Sequence, residues 1–417
     1  LMILTLTVWP RSANTTVSLP LNGRSFQQLA LLVPGTITPN PTSFTTPQPN
    51  TGGGRPFVNG NREQTNNFML DGVDVNDSID NRVGYSPNVD ALEEVKVLTG
   101  NAAADYGNSG GATVMMSLKS GTNQFHGNAF EFLRNKELNA NGFFRNRNVS
   151  TATRLGVRRN IFGGTLGGPI QKNKLFFFVD YEGTTERNDG PTSASVAPQA
   201  WRNGDLSQFP NTAITDPTNG QPFAGKQIPT SRFSPVARFL FSNPSVYPLP
   251  NQAGVGPLGV SGNFASSTAS KVNNNQADAK VDYRPSDKDA LMVRWSIGRY
   301  ESLGSRAALP VNMTSGQEGP TTSWVANWNR TVSPAIVNEA RFSFTRIGIN
   351  DVTLDWSGQL GADGNQKFGI PGGQPIAGLS SIGIGGGLSG IGAAANLSNT
   401  TDTKYIIYDN LDRKSVV

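Results

Sequence analysis

The residues able to do chemistry are few in this chain, and their spacing argues against most reactions. Asp71, Asp74, Asn76, Asp77 and Asp80 supply the ligand types of a calcium loop. An EF-hand loop needs alternating oxygen ligands, glycine at position six and glutamate at position twelve. Counted from Asp74, those positions hold Ile79 and Tyr85, so a solvated turn is the better reading. Glu93 and Glu94 are adjacent. On a strand they point to opposite faces and do not make the paired carboxylates of a glycosidase. Gly383 to Gly392 (GIGGGLSGIG) has glycine spacings like those of a dinucleotide loop. No strand and helix frame it and no Lys-Ser/Thr follows, which rejects nucleotide binding. The chain has no cysteine and one histidine, His126. Thiol catalysis, disulfides and cysteine-ligated zinc are excluded, and a histidine triad or metal cluster is disfavoured. No enzymatic activity, cofactor or metal is expected.

The net charge of +5 is small for 417 residues and the basic side chains are scattered, so no nucleic-acid surface is expected. Gly 47 and Pro 27 are high and only 16% of residues are charged, which favours many short strands joined by turns. No run approaches the ~20 apolar residues of a membrane-spanning helix. That absence is silent about a barrel, whose strands alternate and leave no hydropathy peak.

The elements fall around Ala91 to Lys119. Val95, Val97 and Thr99 alternate with Lys96 and Leu98 as a short strand. A loop punctuated by Gly100, Gly107, Gly110 and Gly111 follows, then a strand over Thr113 to Leu118 and a turn at Ser120-Gly121. Upstream, Ser25 as N-cap with Leu29, Leu32 and Val33 at helical spacing predicts a short helix ending near Pro34-Gly35. Thr36 to Arg55 is a polar, proline-rich loop. Phe68, Leu70 and Val73 flank Asp71-Gly72 as strand, turn, strand. Downstream, Phe125 to Leu133 alternates in part, and 161–170 with 175–182 reads as a hairpin around Gln171 to Lys174.

Ala277, Ala279, Val281 and Tyr283 alternate with Asp278, Lys280 and Asp282. After a turn at Pro285 to Lys288, Leu291, Val293, Trp295 and Ile297 alternate with Met292, Arg294, Ser296 and Gly298. One face is apolar and the other charged, at the ~10-residue length of a barrel strand; a soluble two-layer β protein gives the same alternation, and these two strands alone do not separate the two. Trp324, Ala326 and Trp328, then Ala340, Phe342 and Phe344 across Ser333-Pro334, repeat the pattern, with the Trp residues as candidates for an interfacial girdle. Residues 404–411 make a last strand. Two long connections, 188–275 and 349–400, read as loops, the second as a flexible outer one.

Several of these segments resemble one family in one order. ALEEVKVLTG, Tyr106-Gly107, Gly110-Gly111 and the run into Lys119 resemble the end of the plug domain of TonB-dependent outer-membrane receptors, most of all the Oar-like subgroup. LPLNGRSFQQLALLVPGT resembles the opening of that plug. FVNGNREQTNNFMLDGVDVND resembles its middle, and FGGTLGGPI with KLFFFVDYEG resembles the first barrel strands. The plug signature carried by the resemblance is Asn22, Gly23, Arg24, Asp71, Gly72, Val73, Glu94, Val95, Gly100, Tyr106, Gly107, Gly110 and Gly111, with a structural role.

The resemblance implies a mainly β protein: a small α/β plug over 17–120, then the first part of an antiparallel transmembrane β-barrel with long loops over 121–411. Residues 1–16 are left as an unassigned remnant and 412–417 are expected to be a non-native tail. About eight strands follow the plug, against about 22 in large plugged transporters, so an incomplete barrel is expected. The implied location is the bacterial outer membrane, in contact with its lipid. The implied activity is energised uptake of a bulky or scarce substrate, with the TonB energy-coupling complex as partner, although no TonB-contacting segment is matched before Leu19. The alternatives are an Oar-like outer-membrane protein with a structural, secretion or adhesion role, and a soluble secreted β-rich binding protein. Substrate-binding residues do not follow. Iron chelates, oligosaccharides, peptides and cobalamin all stay open.

Overall fold

The computed structural model describes residues 21–38, 55–100, 110–147, 154–209, 212–304, 307–355, 358–371, 378–393 and 398–413. The expectations for 1–16, for Tyr106 and Gly107, and for 414–417 lie outside these residues.

The first unit is the plug. Its elements are α1 (Gln27–Ala30), β1 (Thr36–Ile37), β2 (Phe57–Val58), β3 (Asn67–Leu70), β4 (Val73–Asp74), β5 (Leu92–Leu98) and β6 (Thr113–Leu118). Four strands form one sheet in the order β4-β3-β6-β5, with β3 parallel to β6. The β3–β4 hairpin turns on Asp71 (φ 48°) and Gly72 (φ 77°), the pair of positive φ values that a two-residue hairpin of matching twist requires. Val95 and Val97 go inward with Phe26, Phe68, Leu70, Leu92, Val114 and Met116 to make the core. A bulge between Leu92 and Glu94 interrupts the alternation there, leaving Glu93 exposed and Glu94 half-buried.

The helix differs from its sequence expectation. Ser25 contributes only its carbonyl, to the Gln28 N–H at 3.2 Å, and the N-cap is Phe26 with no side-chain cap bond. A 3-10 turn over Asn22–Arg24 leads into it. With Phe26, Leu29 and Ala30 buried, packing holds these four residues helical in place of a cap. Leu32 is 52% exposed and takes no part in that core.

The second unit is a long antiparallel wall. Its strands are β7 (His126–Asn135), β8 (Gly156–Gln171), β9 (Leu175–Ala194), β10 (Phe264–Ser286), β11 (Asp289–Leu303), β12 (Asn312–Ser333), β13 (Ile336–Leu354), β14 (Gly392–Ala393) and β15 (Asn399–Arg413). From β7 to β13 each pairs with its sequence neighbour, β15 joins β13 past β14 to complete the order β15-β13-β12-β11-β10-β9-β8-β7, and β14 adds in parallel to β12. Among the described residues, β7 and β15 end the sheet. The expected hairpins are all present. The turns at 172–174, 287–288 and 334–335 are tight, and the opposite ends carry the long connections, as in outer-membrane barrels.

The alternation is obeyed. Leu291, Val293, Trp295 and Ile297 lie outward at 37–44% exposure, whereas Arg294 and Ser296 between them are fully buried. Trp295 and Trp324 stack on the outer face with ring centroids 5.4 Å apart.

The long connections are corrected in two respects. The β9–β10 ladder continues to Ala194 paired with Phe264, and β13 runs to Leu354. The connections therefore shrink to 195–263 and 355–398. They are also not free loops. α3 (Gln199–Arg202), α4 (Pro235–Ser242) and α5 (Gly364–Lys367) follow α2 (Phe143–Arg147) in chain order. Trp201, Leu240 and Tyr247 from the first connection bury with Leu360, Phe368 and Leu379 from the second and with Leu309 and Val311 between β11 and β12. Phe239 and Phe368 rings stand 4.4 Å apart. Ser389 N–H donates to the Ser195 carbonyl at 2.9 Å, and Ser195 N–H donates back to Ser389 Oγ. Arg202 is buried and donates to the carbonyls of Ala197 and Tyr247, each at 2.9 Å. The connections thus form a cap with its own core. A loop without periodicity gives no sequence signal of this kind, since its apolar residues are scattered and meet only in three dimensions.

Candidate functional site

The plug rests on the polar face of the wall, and its seat is built from charged side chains. At the tip of the β3–β4 hairpin, Asp71 Oδ1 accepts from the Leu118 N–H at 3.1 Å. The same carboxylate meets Lys280 Nζ at 3.4 Å and Arg294 Nη1 at 3.7 Å. Asp71, Lys280 and Arg294 side chains are at most 8% exposed. Such burial is costly unless the charges are paired, so this acid and these two cations hold one another in place. Lys280 also donates to the Leu118 carbonyl at 2.9 Å. Arg341 donates to the Gly72 carbonyl at 2.7 Å. A Cβ at Gly72 would run into that guanidinium.

Two further contacts flank this one. Tyr85 of the plug donates to Asp278 at 2.7 Å, and Ser296 donates to the same carboxylate. Burial first, then the carboxylates of Asp278 and Asp180, hold the Tyr85 phenol well above the ordinary tyrosine range, so it keeps its proton and stays a donor. Arg24 pairs with Asp90 inside the plug and reaches Glu182 on β9 at 3.5 Å. Its guanidinium also lies 4.6 Å and 4.5 Å from the ring centres of Phe130 and Phe132 on β7, within cation–π range. On the far side, Asp402 accepts from the Ser78 N–H at 2.7 Å, and Lys404 approaches Asp74 at 3.5 Å.

The acidic run with calcium-type ligands is spent on cationic side chains. Asp71 takes Lys280 and Arg294, Asp74 takes Lys404, Asp77 takes Arg82 at 2.9 Å, and Asp80 takes Arg55 at 3.1 Å. The acids point to four different places, and among the described residues no group of three or more metal-ligating side chains converges.

Among the described residues, those of the signature are spread through the plug and do not form one pocket. Gly23 and Arg24 take positive φ values of 74° and 56° in the turn that aims Arg24 at Asp90 and β7. Asp71 and Gly72 form the seat. Val73 and Val95 are buried, at 0% and 4% exposure. Among the described residues nothing crowds Gly100, and Gly111 lies against Asn66 and Thr65, where a side chain would collide. The wall residues that receive the plug (Asp278, Lys280, Arg294, Arg341, Asp402 and Lys404) were not singled out from sequence as a site. Their signal was present in part: Asp278, Lys280 and Arg294 each alternate with apolar neighbours and so had to face inward.

Comparison with known proteins follows the same division. Residues 20–114 match the TonB-dependent receptor plug domain, and residues 117–414 match an outer membrane beta-barrel domain. The TonB-dependent transporter Oar of Myxococcus xanthus is 30% identical over 161 residues, which is 38% of this chain and 14% of that protein. The outer membrane transporter YddB from Escherichia coli superposes with a TM-score of 0.54 at 11% identity, over 97% of this chain and 45% of YddB. The second likeness is one of fold, and the chain spans less than half the length of either relative. The soluble β-rich alternative is thereby set aside, and the location is the outer membrane. A plug domain followed by strands of an outer-membrane barrel, in both the sequence matches and the geometry, means that the chain belongs to the TonB-dependent outer-membrane receptors.

Proposed function

We propose that the receptor takes up a bulky or scarce solute across the outer membrane, with the TonB energy-coupling complex displacing the plug. The observation that carries this reading is the seat of Asp71 between Lys280 and Arg294. Ionic and hydrogen-bonded contacts exchange for contacts with water when the plug moves, so their net worth is far below their gross strength. A permanently fused plug would be expected to bury apolar surface against the wall. Here, among the described residues, Phe178 is the one wall residue in the plug's hydrophobic cluster. The related Oar and YddB are both described as transporters, which supports the same reading. Recognition of the solute would fall to the cap, whose packed core gives it a fixed shape.

The test is depletion of solutes from the medium. Cells with and without the receptor gene, each in TonB-positive and TonB-negative backgrounds, are grown on a complex medium whose solutes are followed by mass spectrometry. The expected result is a solute removed only when both the receptor and TonB are present. Equal depletion in all four strains would favour a structural or adhesive role on the same scaffold.

A further inference from the structure

The outward face of the wall carries a groove that neither the plug nor the cap uses. On β12 and β13, Ala326 is paired with Phe342 and Ala340 with Trp328. The two alanines make a low floor between Leu291 on β11 and Ile407 on β15, and the hollow measures about 350 Å³. That lies within the ~300–1,000 Å³ of small-molecule sites. Its side walls are apolar and, among the described residues, uncovered: Leu291 is 37%, Phe342 45% and Ile407 78% exposed.

The groove has one polar mouth. Along the sheet toward the tight turn at 334–335, Asp289 opposes Arg330 and Arg330 opposes Asn338. Arg330 Nη1 lies 3.3 Å from Asp289 Oδ1, yet the arginine side chain is still 48% exposed. Trp328 Nε1 donates to the same Asp289 at 3.0 Å and leaves its ring at the mouth. Asn338 donates to Asp409, an exposed residue, at 3.0 Å. An apolar trough therefore ends in a cation and a carboxylate separated by one strand. The tight turns mark the periplasmic rim of such a barrel.

We propose that this groove seats an acyl chain of an ethanolamine phospholipid from the periplasmic leaflet, with its phosphate on Arg330 and its ammonium on Asp409. Charge complementarity selects this occupant. Arginine presents a planar fork of N–H donors to phosphate oxygens. An ammonium group has N–H donors for the carboxylates of Asp409 and Asp289. A glycerol headgroup would bring only negative charge to those acids, and a choline headgroup has no N–H to donate. The proposal rests on the outer-membrane location and is independent of what the receptor transports.

The test is native mass spectrometry of the receptor purified from outer membranes, challenged with ethanolamine, glycerol and choline phospholipids of identical chains. Preferential retention of the ethanolamine lipid by about threefold to fivefold, the scale of one exposed ion pair, is expected. Asp409→Asn should abolish the preference for ethanolamine over choline. Arg330→Gln should lower retention of all three lipids, and Ala340→Phe should do so by filling the trough. Equal retention of the three headgroups, or an Asp409→Asn receptor that keeps the preference, overturns the proposal. If Ala340→Phe does not assemble, the surface change Asp409→Asn still decides.

Discussion

At Asp71 a single carboxylate answers two buried cations, and the consequence of removing it is direct. Asp71→Ala removes the acid that Lys280 and Arg294 share and leaves only the Asp278 carboxylate near the arginine, a change that costs about 3 kcal/mol. Glu94→Gln, at a half-buried position away from the seat, should stay within about 0.5 kcal/mol. Protease resistance of the plug in the isolated receptor separates the two: the first variant should be cut readily and the second should match the parent. Gly72→Ala should fall between the two, because φ there is 77° while the guanidinium of Arg341 that the added methyl meets can swing aside.

Asp77 makes a prediction about acid. Burial by itself pushes its carboxyl up, but the N–H groups of Asp80 and Ile79 and the guanidinium of Arg82 outweigh this and hold it below the ordinary value. A depressed folded-state pKa stabilises above the unfolded value of about 3.9 and is lost as pH falls through the folded one. The 77–82 turn should therefore hold at pH 6 and loosen below about pH 4. Arg82→Met should flatten that dependence, measured by hydrogen exchange across the pH range; an unchanged profile would remove Asp77 from the account. At this scale the sequence was half legible. Asp71-Gly72 announced its turn through residue type, whereas the partnership with Lys280 and Arg294 spans more than 200 residues and has no local signature.

Among the elements, the strands were the most legible because one physical pattern fixes them. Asp278, Lys280 and Arg294 had to face one way if Val281, Val293 and Trp295 faced the other, and the observed register agrees. Strand ends were less legible. β9 and β10 run past the apolar band as a ladder of Thr, Asn, Ser and Gly, where polar residues on both faces erase the alternation. The cap was illegible for a related reason: Trp201, Phe368 and Leu309 come from three separate connections and share no period. Their packing predicts cooperation. Phe368→Ala should destabilise the cap by about 3–5 kcal/mol and raise hydrogen exchange in 195–263 as well as in 355–398. Exchange confined to 355–398 would mean that the two connections are independent loops.

For the whole molecule, the plug and the wall are joined by contacts that can be broken singly, and the account is that they break together during uptake. These 417 residues contain no cysteine, so an introduced pair is free of competing thiols within them. Ser78 and Asp402 are suited to it, with the Ser78 N–H 2.7 Å and its Oγ 3.2 Å from the Asp402 carboxylate. A disulfide needs ~3.5–4.5 Å between Cβ atoms, so closure of the bond is verified by mass spectrometry before uptake is read. The decisive measurement is TonB-dependent solute depletion by cells carrying the receptor with Ser78→Cys and Asp402→Cys, before and after reduction. Uptake should be absent while the bond is closed and return when it is reduced, with each single variant active throughout. Undiminished uptake by the oxidised pair, with the crosslink verified, would show that the plug does not leave the wall there and would contradict the account.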